Sequence, residues 1–164
     1  MESLLISSFP EEEYRPLDEL RLFTRDKQCF YNHIILDGDN PVGFITYWML
    51  SNFYYVEHFA MDKRYRNEGY GKETINQLCE RIHPIVLEVE IPNNNLAQRR
   101  IEFYLRQGFI LWNNFYVQPP YKPGNAAVPM YLMNYGKLNP ANDFERVKEE
   151  IYREIYNIEN LIEN

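Results

Sequence analysis

A chain of 164 residues with 45% hydrophobic and 16% aromatic content has the length of one domain and enough apolar side chain for a real core, which excludes a disordered tail. Seventeen Lys and Arg against 24 Asp and Glu leave a formal charge of -7, the wrong sign for a surface that binds nucleic acid or an anionic membrane. The two cysteines, Cys29 and Cys79, form no C-x-x-C pair and have no His at ligand spacing, which argues against a zinc site or a disulfide framework.

Met1 to Leu4 carries no basic leader, and no run approaches the ~18 apolar residues of a membrane helix, so the expected setting is the cytoplasm. Leu4 to Phe9, closed by Pro10, reads as an edge strand. Glu11-Glu12-Glu13 then opens a solvated stretch. Leu17, Leu20, Leu22 and Phe23 recur at helical spacing behind Pro16, as far as Lys27. From Cys29 to Leu50 the period changes to two, as in a hairpin turning at Asp37-Gly38-Asp39-Asn40, with His33 on the strand surface. A third strand runs from Phe53 to Met61.

Gly71 to Ile82 is a helix with Ile75, Leu78, Cys79 and Ile82 on one face, stopped by His83-Pro84. Ile85 to Val89 is apolar enough for a central strand buried on both faces. Strand, helix and parallel strand make a βαβ unit, whose ligand end is the carboxyl end of the first strand. Asn94 caps a further helix bearing Ala97, Ile101, Tyr104 and Leu105, which ends at Gly108 in the left-handed conformation with Phe109 as hydrophobic partner. Phe109 to Trp112, Phe115 to Val117 and Met130 to Met133 read as strands, and the proline-rich Gln118 to Gly124 as a loop. Beyond Asn139-Pro140, a helix is expected from Asp143 to about Glu163. Its stripe of Phe144, Val147, Ile151, Ile155, Ile158 and Ile162 would pack on the domain or on a partner. The chain thus divides into a domain over 1–138 and an amphipathic helix over 139–164, with a homodimer left open.

The stretch that organises the rest is EHFAMDKRYRNEGYGK, Glu57 to Lys72. Gly69 and Gly71 let backbone N–H groups converge at the start of a helix, where the dipole adds partial positive charge. Lys63, Arg64, Arg66 and Lys72 surround that point in an otherwise acidic chain, so the local field suits a phosphate. The spacing is neither G-x-G-x-x-G nor G-x-x-x-x-G-K-[ST].

Arg66-Asn67-Glu68-Gly69-Tyr70-Gly71 instead resembles the acyl-CoA pyrophosphate loop of the GNAT superfamily of N-acetyltransferases, which reads Gln/Arg-x-x-Gly-x-Gly/Ala. A second block agrees in order and separation: Asn94-Asn95-Leu96-Ala97, then Phe103-Tyr104 and Gly108-Phe109. The resemblance covers about 57 to 109. It implies an α/β (α+β) fold: a mixed, mostly antiparallel central sheet with a βαβ acyl-CoA-binding core and flanking helices. It also implies transfer of acetyl from acetyl-CoA, as co-substrate and without a metal, to a primary amine on a small molecule or peptide.

On that resemblance, the pyrophosphate would meet Arg66, Asn67, Glu68, Gly69, Tyr70, Gly71 and Lys72, with the Glu68 side chain turned to solvent. The pantetheine arm would pair with Phe59, Ala60 and Met61 like an added strand, a Phe59 N–H polarising the thioester carbonyl. Tyr104 falls where the family carries the tyrosine that protonates the thiolate. Asn94 would bond the pantetheine amide or serve only as a cap. Glu57, a carboxylate in an apolar run, is the candidate general base, with Glu88 and Glu90 on the neighbouring strand competing and a purely structural bond to His58 or a tyrosine the other reading. His58 alternates to the opposite face unless a bulge resets the register. Tyr14, Tyr31, Trp48, Tyr55 and the Gln118 to Tyr121 loop could shape an acceptor pocket, and the net acidity favours a cationic amine. Two other classes fit the same residues: an acyl-CoA-binding module without turnover, and a nucleotide-phosphate binder.

Overall fold

The computed structural model describes residues 1–158. Five helices, α1 (Glu2–Ser8), α2 (Leu17–Asp26), α3 (Tyr70–Arg81), α4 (Asn95–Arg106) and α5 (Pro140–Glu154), flank six strands. These are β1 (Phe30–Asp37), β2 (Asn40–Met49), β3 (Tyr54–Met61), β4 (Ile85–Glu90), β5 (Ile110–Gln118) and β6 (Val128–Tyr135). They form one sheet in the order β1-β2-β3-β4-β6-β5. Every neighbouring pair is antiparallel except β3 and β4, which are joined through α3 as a βαβ unit. The architecture is the mixed, mostly antiparallel α/β fold that the sequence implied.

Alternation along the strands divides the core into two faces. On one side Phe44, Trp48, Tyr55, Val86, Trp112 and Leu132 pack with Leu5, Leu20, Phe144, Val147 and Ile151 from α1, α2 and α5. On the other, Ile45, Val56, Leu87, Val89 and Met133 pack with Ile75 and Cys79 of α3 and Ile101 and Tyr104 of α4.

Three expectations are corrected. Leu4 to Phe9 is not an edge strand: Glu2–Ser8 is helical, and Leu5 is 1% exposed within the first face of the core. So short an apolar run carries no period long enough to separate strand from helix, and the tertiary seat for Leu5 decides. The segments at 109–112 and 115–117 are one strand, β5, whose register slips between Trp112 and Tyr116 against Leu132 and Met130. Helix α5 starts at Pro140 and stops at Glu154 rather than running to 163. Asn157 takes φ +55°, and the Ile158 N–H reaches back to the Tyr152 carbonyl at 3.0 Å, so the chain leaves the helical path before the apolar stripe ends. Ile162 lies outside the described residues.

Candidate active site

Two features of β3 create the site. The first is a bulge: Thr46 of β2 faces His58 while Tyr47 faces Val56, so Glu57 is an extra residue with no partner opposite. The bulge resets the alternation, and Glu57 and His58 both turn to the α1/α2 face. There the Trp48 indole donates to Glu57 Oε2 at 2.9 Å, and the Thr46 hydroxyl accepts from the His58 backbone N–H at 3.1 Å. His58 Nε2–H donates to the Glu13 carbonyl at 2.9 Å, and burial pushes this imidazole below its ordinary pKa.

The second feature is a fork. β3 and β4 pair only as Tyr54 with Ile85, Tyr55 with Val86 and Val56 with Leu87, yet β3 continues to Met61 and β4 to Glu90. Asp62 N–H donates to the Val42 carbonyl at 2.9 Å and His58 N–H also turns toward β2, so by alternation the N–H groups of Phe59 and Met61 point the other way, into the fork. Open backbone donors on a strand edge are what an extended amide-bearing arm needs.

The loop at the carboxyl end of β3 is built by its own side chains. Asp62 caps a short 3-10 turn over Lys63–Tyr65, accepting from Arg64 N–H at 2.9 Å, and it holds the Arg64 guanidinium at 2.8 Å. The Arg66 side chain donates from Nε to the Met61 carbonyl at 3.1 Å. Asn67 and Gly69 both lie in the left-handed region, at φ +67° and +92°, and Gly69 caps α3. The first bond closing the helix runs from Glu73 N–H to the Gly69 carbonyl, so the N–H groups of Tyr70, Gly71 and Lys72 stand free at its opening. A Cβ at Gly71 would sit 3.6 Å from Met61 Cγ and 3.8 Å from Phe59 Cζ, ordinary contacts, so packing alone does not demand glycine there. Glu68 is exposed, as is Lys72. Tyr70 Oη ties this helix to the β1–β2 turn, donating to Asp37 Oδ2 at 2.7 Å.

Tyr104 stands on α4, its ring between Phe103 and Phe109 at 5.1 and 5.3 Å. Among the described residues its hydroxyl has no hydrogen-bond partner, and burial pushes its pKa up to about 12, so it carries its proton at every physiological pH. Asn94 is a helix cap: its Oδ1 accepts from Ala97 N–H at 2.9 Å, while its Nδ2 donates to Asn93.

The three glutamates differ sharply. Glu90 is half-buried and paired with Arg100. Glu57 has none of its side chain exposed and is bound by Arg15, itself 2% exposed. Burial pushes the Glu57 carboxyl up, but the guanidinium beside it outweighs that and leaves it below the usual carboxylate range. Glu88 accepts from Tyr116 Oη, from Gln118 Nε2 and from Tyr156 Oη at 3.0 Å, with no cation beside it among the described residues; burial raises its pKa above the ordinary value. Arg15, Tyr116 and Tyr156 were not singled out in the sequence. Each meets its carboxylate from a distant part of the chain, and no local spacing betrays such a partnership. Of the tyrosines considered for an acceptor pocket, Tyr55 and Tyr121 join this cluster. Tyr31 lies away from it, stacked on Tyr47 at 4.9 Å.

Residues 1–109 match the family model described as acetyltransferase (GNAT) family. The chain belongs to the GNAT family of acetyltransferases. This GNAT acetyltransferase is similar, at 51% identity and a TM-score of 0.94, to a solved protein of Bacteroides thetaiotaomicron placed in the same family, over 97% of this chain and 91% of that one. An aminoglycoside 6'-N-acetyltransferase complexed with coenzyme A shares the fold at 17% identity and a TM-score of 0.60, covering 84% of this chain and 88% of that one. A spermidine N-acetyltransferase chimera from Vibrio cholerae and hSSAT does so at 16% and 0.58, over 80% and 88%. No curated protein matches the chain. Within the GNAT acetyltransferase, the fork and the opening of α3 adjoin at the carboxyl end of β3, while Glu57 and Glu88 each stand one residue beyond the last β3–β4 pair, at the fork's origin. Among the described residues, no group of three or more His, Cys, Asp or Glu is placed to hold a metal ion, and no helix is long and apolar enough to cross a membrane.

Proposed function

We propose that the enzyme transfers the acetyl group of acetyl-CoA directly to a primary amine. The observation that carries this reading is the fork: Phe59 and Met61 offer backbone N–H groups to an open edge that leads straight to the free N–H groups of Tyr70, Gly71 and Lys72. A diphosphate at the start of α3 gains three donors and the positive end of the helix, with Lys72 adding charge and Arg66 and Asn67 shaping the approach. Ala60 spaces Phe59 and Met61 along the strand so that both N–H groups face the fork, and Gly69 supplies the left-handed turn. From there the pantetheine arm runs back along β3, with Asn94 Nδ2 at its far side, and the Phe59 N–H polarises the thioester carbonyl.

Tyr104 is the proton donor to the leaving thiolate, since its hydroxyl is protonated and uncommitted. A carboxylate at the fork takes the proton of the amine, with Glu57 and Glu88 the candidates. The chain's formal charge of -7 favours a cationic amine.

Calorimetry with CoA, acetyl-CoA and ATP, followed by thiol release from acetyl-CoA with a panel of amines, tests the reading. Tight binding of both acyl carriers, none of ATP, and release accelerated by an amine are expected. Binding without accelerated release marks a silent acyl-CoA module instead, and ATP binding without affinity for CoA marks a nucleotide site.

A further inference from the structure

Glu57 and Glu88 each stand one residue beyond the last β3–β4 pair, Val56 with Leu87, and both turn to the α1/α2/α5 face. They are treated oppositely by the rest of the chain. At Glu57 the protein supplies its own cation. The Arg15 guanidinium lies 4.8 Å from the Phe23 ring centre and 5.4 Å from those of Trp48 and Tyr121, an aromatic box with a carboxylate at its base. At Glu88 the tyrosines instead bring their hydroxyls to the carboxylate, and among the described residues no cation stands beside it. Tyr116 and Tyr156 donate to the carboxylate, Tyr55 Oη is 3.4 Å from Tyr156 Oη, and the rings of Tyr121 and Tyr156 lie 5.1 Å apart. Tyr121 borders both sites: its ring lies 5.4 Å from the Arg15 guanidinium and 5.1 Å from the Tyr156 ring.

Resting on the acetyltransferase reading, we propose that Arg15 is a positioning residue that withholds Glu57 from proton transfer, and that Glu88, under Tyr55, Tyr116, Tyr121 and Tyr156, receives the ammonium of the acceptor and takes its proton. The amine nitrogen gives one proton to the Glu88 carboxylate, and its freed lone pair forms the C–N bond to the thioester carbonyl. The C–S bond breaks with its electron pair on sulfur, which takes a proton from Tyr104. The tyrosinate recovers a proton from the new amide nitrogen, and Glu88 returns its own to water, so acetyl-CoA and an ammonium yield an amide, CoA and one proton.

Tyr121 rides on the loop between Gln118 and Val128, which the Lys122–Glu11 pair at 2.9 Å ties to the N-terminal segment, and its ring packs 6.0 Å from that of His58 and 5.1 Å from that of Tyr156. The groups facing Glu88 are tyrosines and Gln118, with Tyr152 further back; those facing Glu57 are Arg15, Trp48, His58 and Tyr121.

The experiment follows thiol release between pH 5.5 and 9.5 with acetyl-CoA and, in turn, spermidine, kanamycin and a peptide with a free amino terminus. Glu88→Gln should lower kcat by about 10²- to 10⁴-fold, remove the acid limb of the pH profile and leave acetyl-CoA affinity in place. Glu88→Asp should restore part of the limb, which a merely structural role would not do. The double variant Arg15→Met with Glu57→Gln removes both buried charges together, so that neither is orphaned. Whatever its kcat, it should keep the wild-type acid limb, because Glu88 is left to titrate. The proposal is overturned if the double variant, folded by circular dichroism and binding acetyl-CoA, loses the limb, or if Glu88→Gln keeps limb and turnover. A wild-type enzyme that binds acetyl-CoA and acetylates none of the amines would bring down the acetyltransferase reading and this one with it.

Discussion

Arg15 and Glu57 meet across 42 residues of sequence with 2% and 0% of their side chains exposed, so the Glu57 charge depends on Arg15, which also reaches Glu19 at 3.3 Å. Removing one partner strands the other in a low-dielectric setting. Arg15→Ala is expected to cost about 3 to 5 kcal/mol in urea unfolding, whereas the neutral double variant, Arg15→Met together with Glu57→Gln, should recover most of it. Equal losses from the single and double variants would refute a coupled pair.

The pair also sets a pH dependence of stability. The Glu57 carboxyl titrates lower in the folded protein than the ordinary 4.5 of a glutamate. A group with a depressed folded pKa contributes stability above its unfolded pKa and loses it as pH falls through the folded value. Stability should therefore decline below about pH 4.5, and the decline should be shallower in the protein carrying both Arg15→Met and Glu57→Gln. Parallel curves for the two would count against the assignment.

Tyr104 allows function to be separated from folding, because its hydroxyl has no partner among the described residues. Tyr104→Phe should change stability by no more than about 0.5 kcal/mol. It should lower turnover by about 10²- to 10⁴-fold. The group titrates at about 12, so wild-type activity should show no alkaline limb from it in the neutral range. Unchanged turnover at every pH would mean that the tyrosine is only core.

At the α3 opening, two glycines should behave differently. Gly69 sits at φ +92° with open space around it, so Gly69→Ala should cost about 1 to 2 kcal/mol through backbone strain. Gly71 is at ordinary φ with room for a Cβ, so Gly71→Val should keep the fold but crowd the free N–H groups, weakening CoA by about tenfold or more, near 1.4 kcal/mol. Calorimetry and thermal unfolding on both variants check the contrast.

Asn94 has two polar ends with separate duties. Asn94→Asp keeps the oxygen that caps Ala97 and should leave stability intact, whereas Asn94→Ala should lose about 1 kcal/mol. If Asn94 Nδ2 reaches the pantetheine, the Asp variant alone should weaken CoA severalfold; identical CoA affinities for Asp and wild type would reduce Asn94 to a cap.

Elements governed by neighbours in sequence were legible from sequence. The hairpin turn at Gly38, the opening of α3 behind Gly69 and the close of α4 at Gly108 rest on local periodicity and on residues that tolerate positive φ. What lay beyond reach depended on distant chain segments meeting. Leu5 becomes helical because the core offers a seat for it. The bulge at Glu57 appears only when β2 is laid beside β3. Glu88 finds its hydroxyls on β5 and after α5, and Glu57 finds its guanidinium before α2. Periodicity records which face a residue takes; only three-dimensional packing decides which buried carboxylate meets a guanidinium and which meets hydroxyls and an amide.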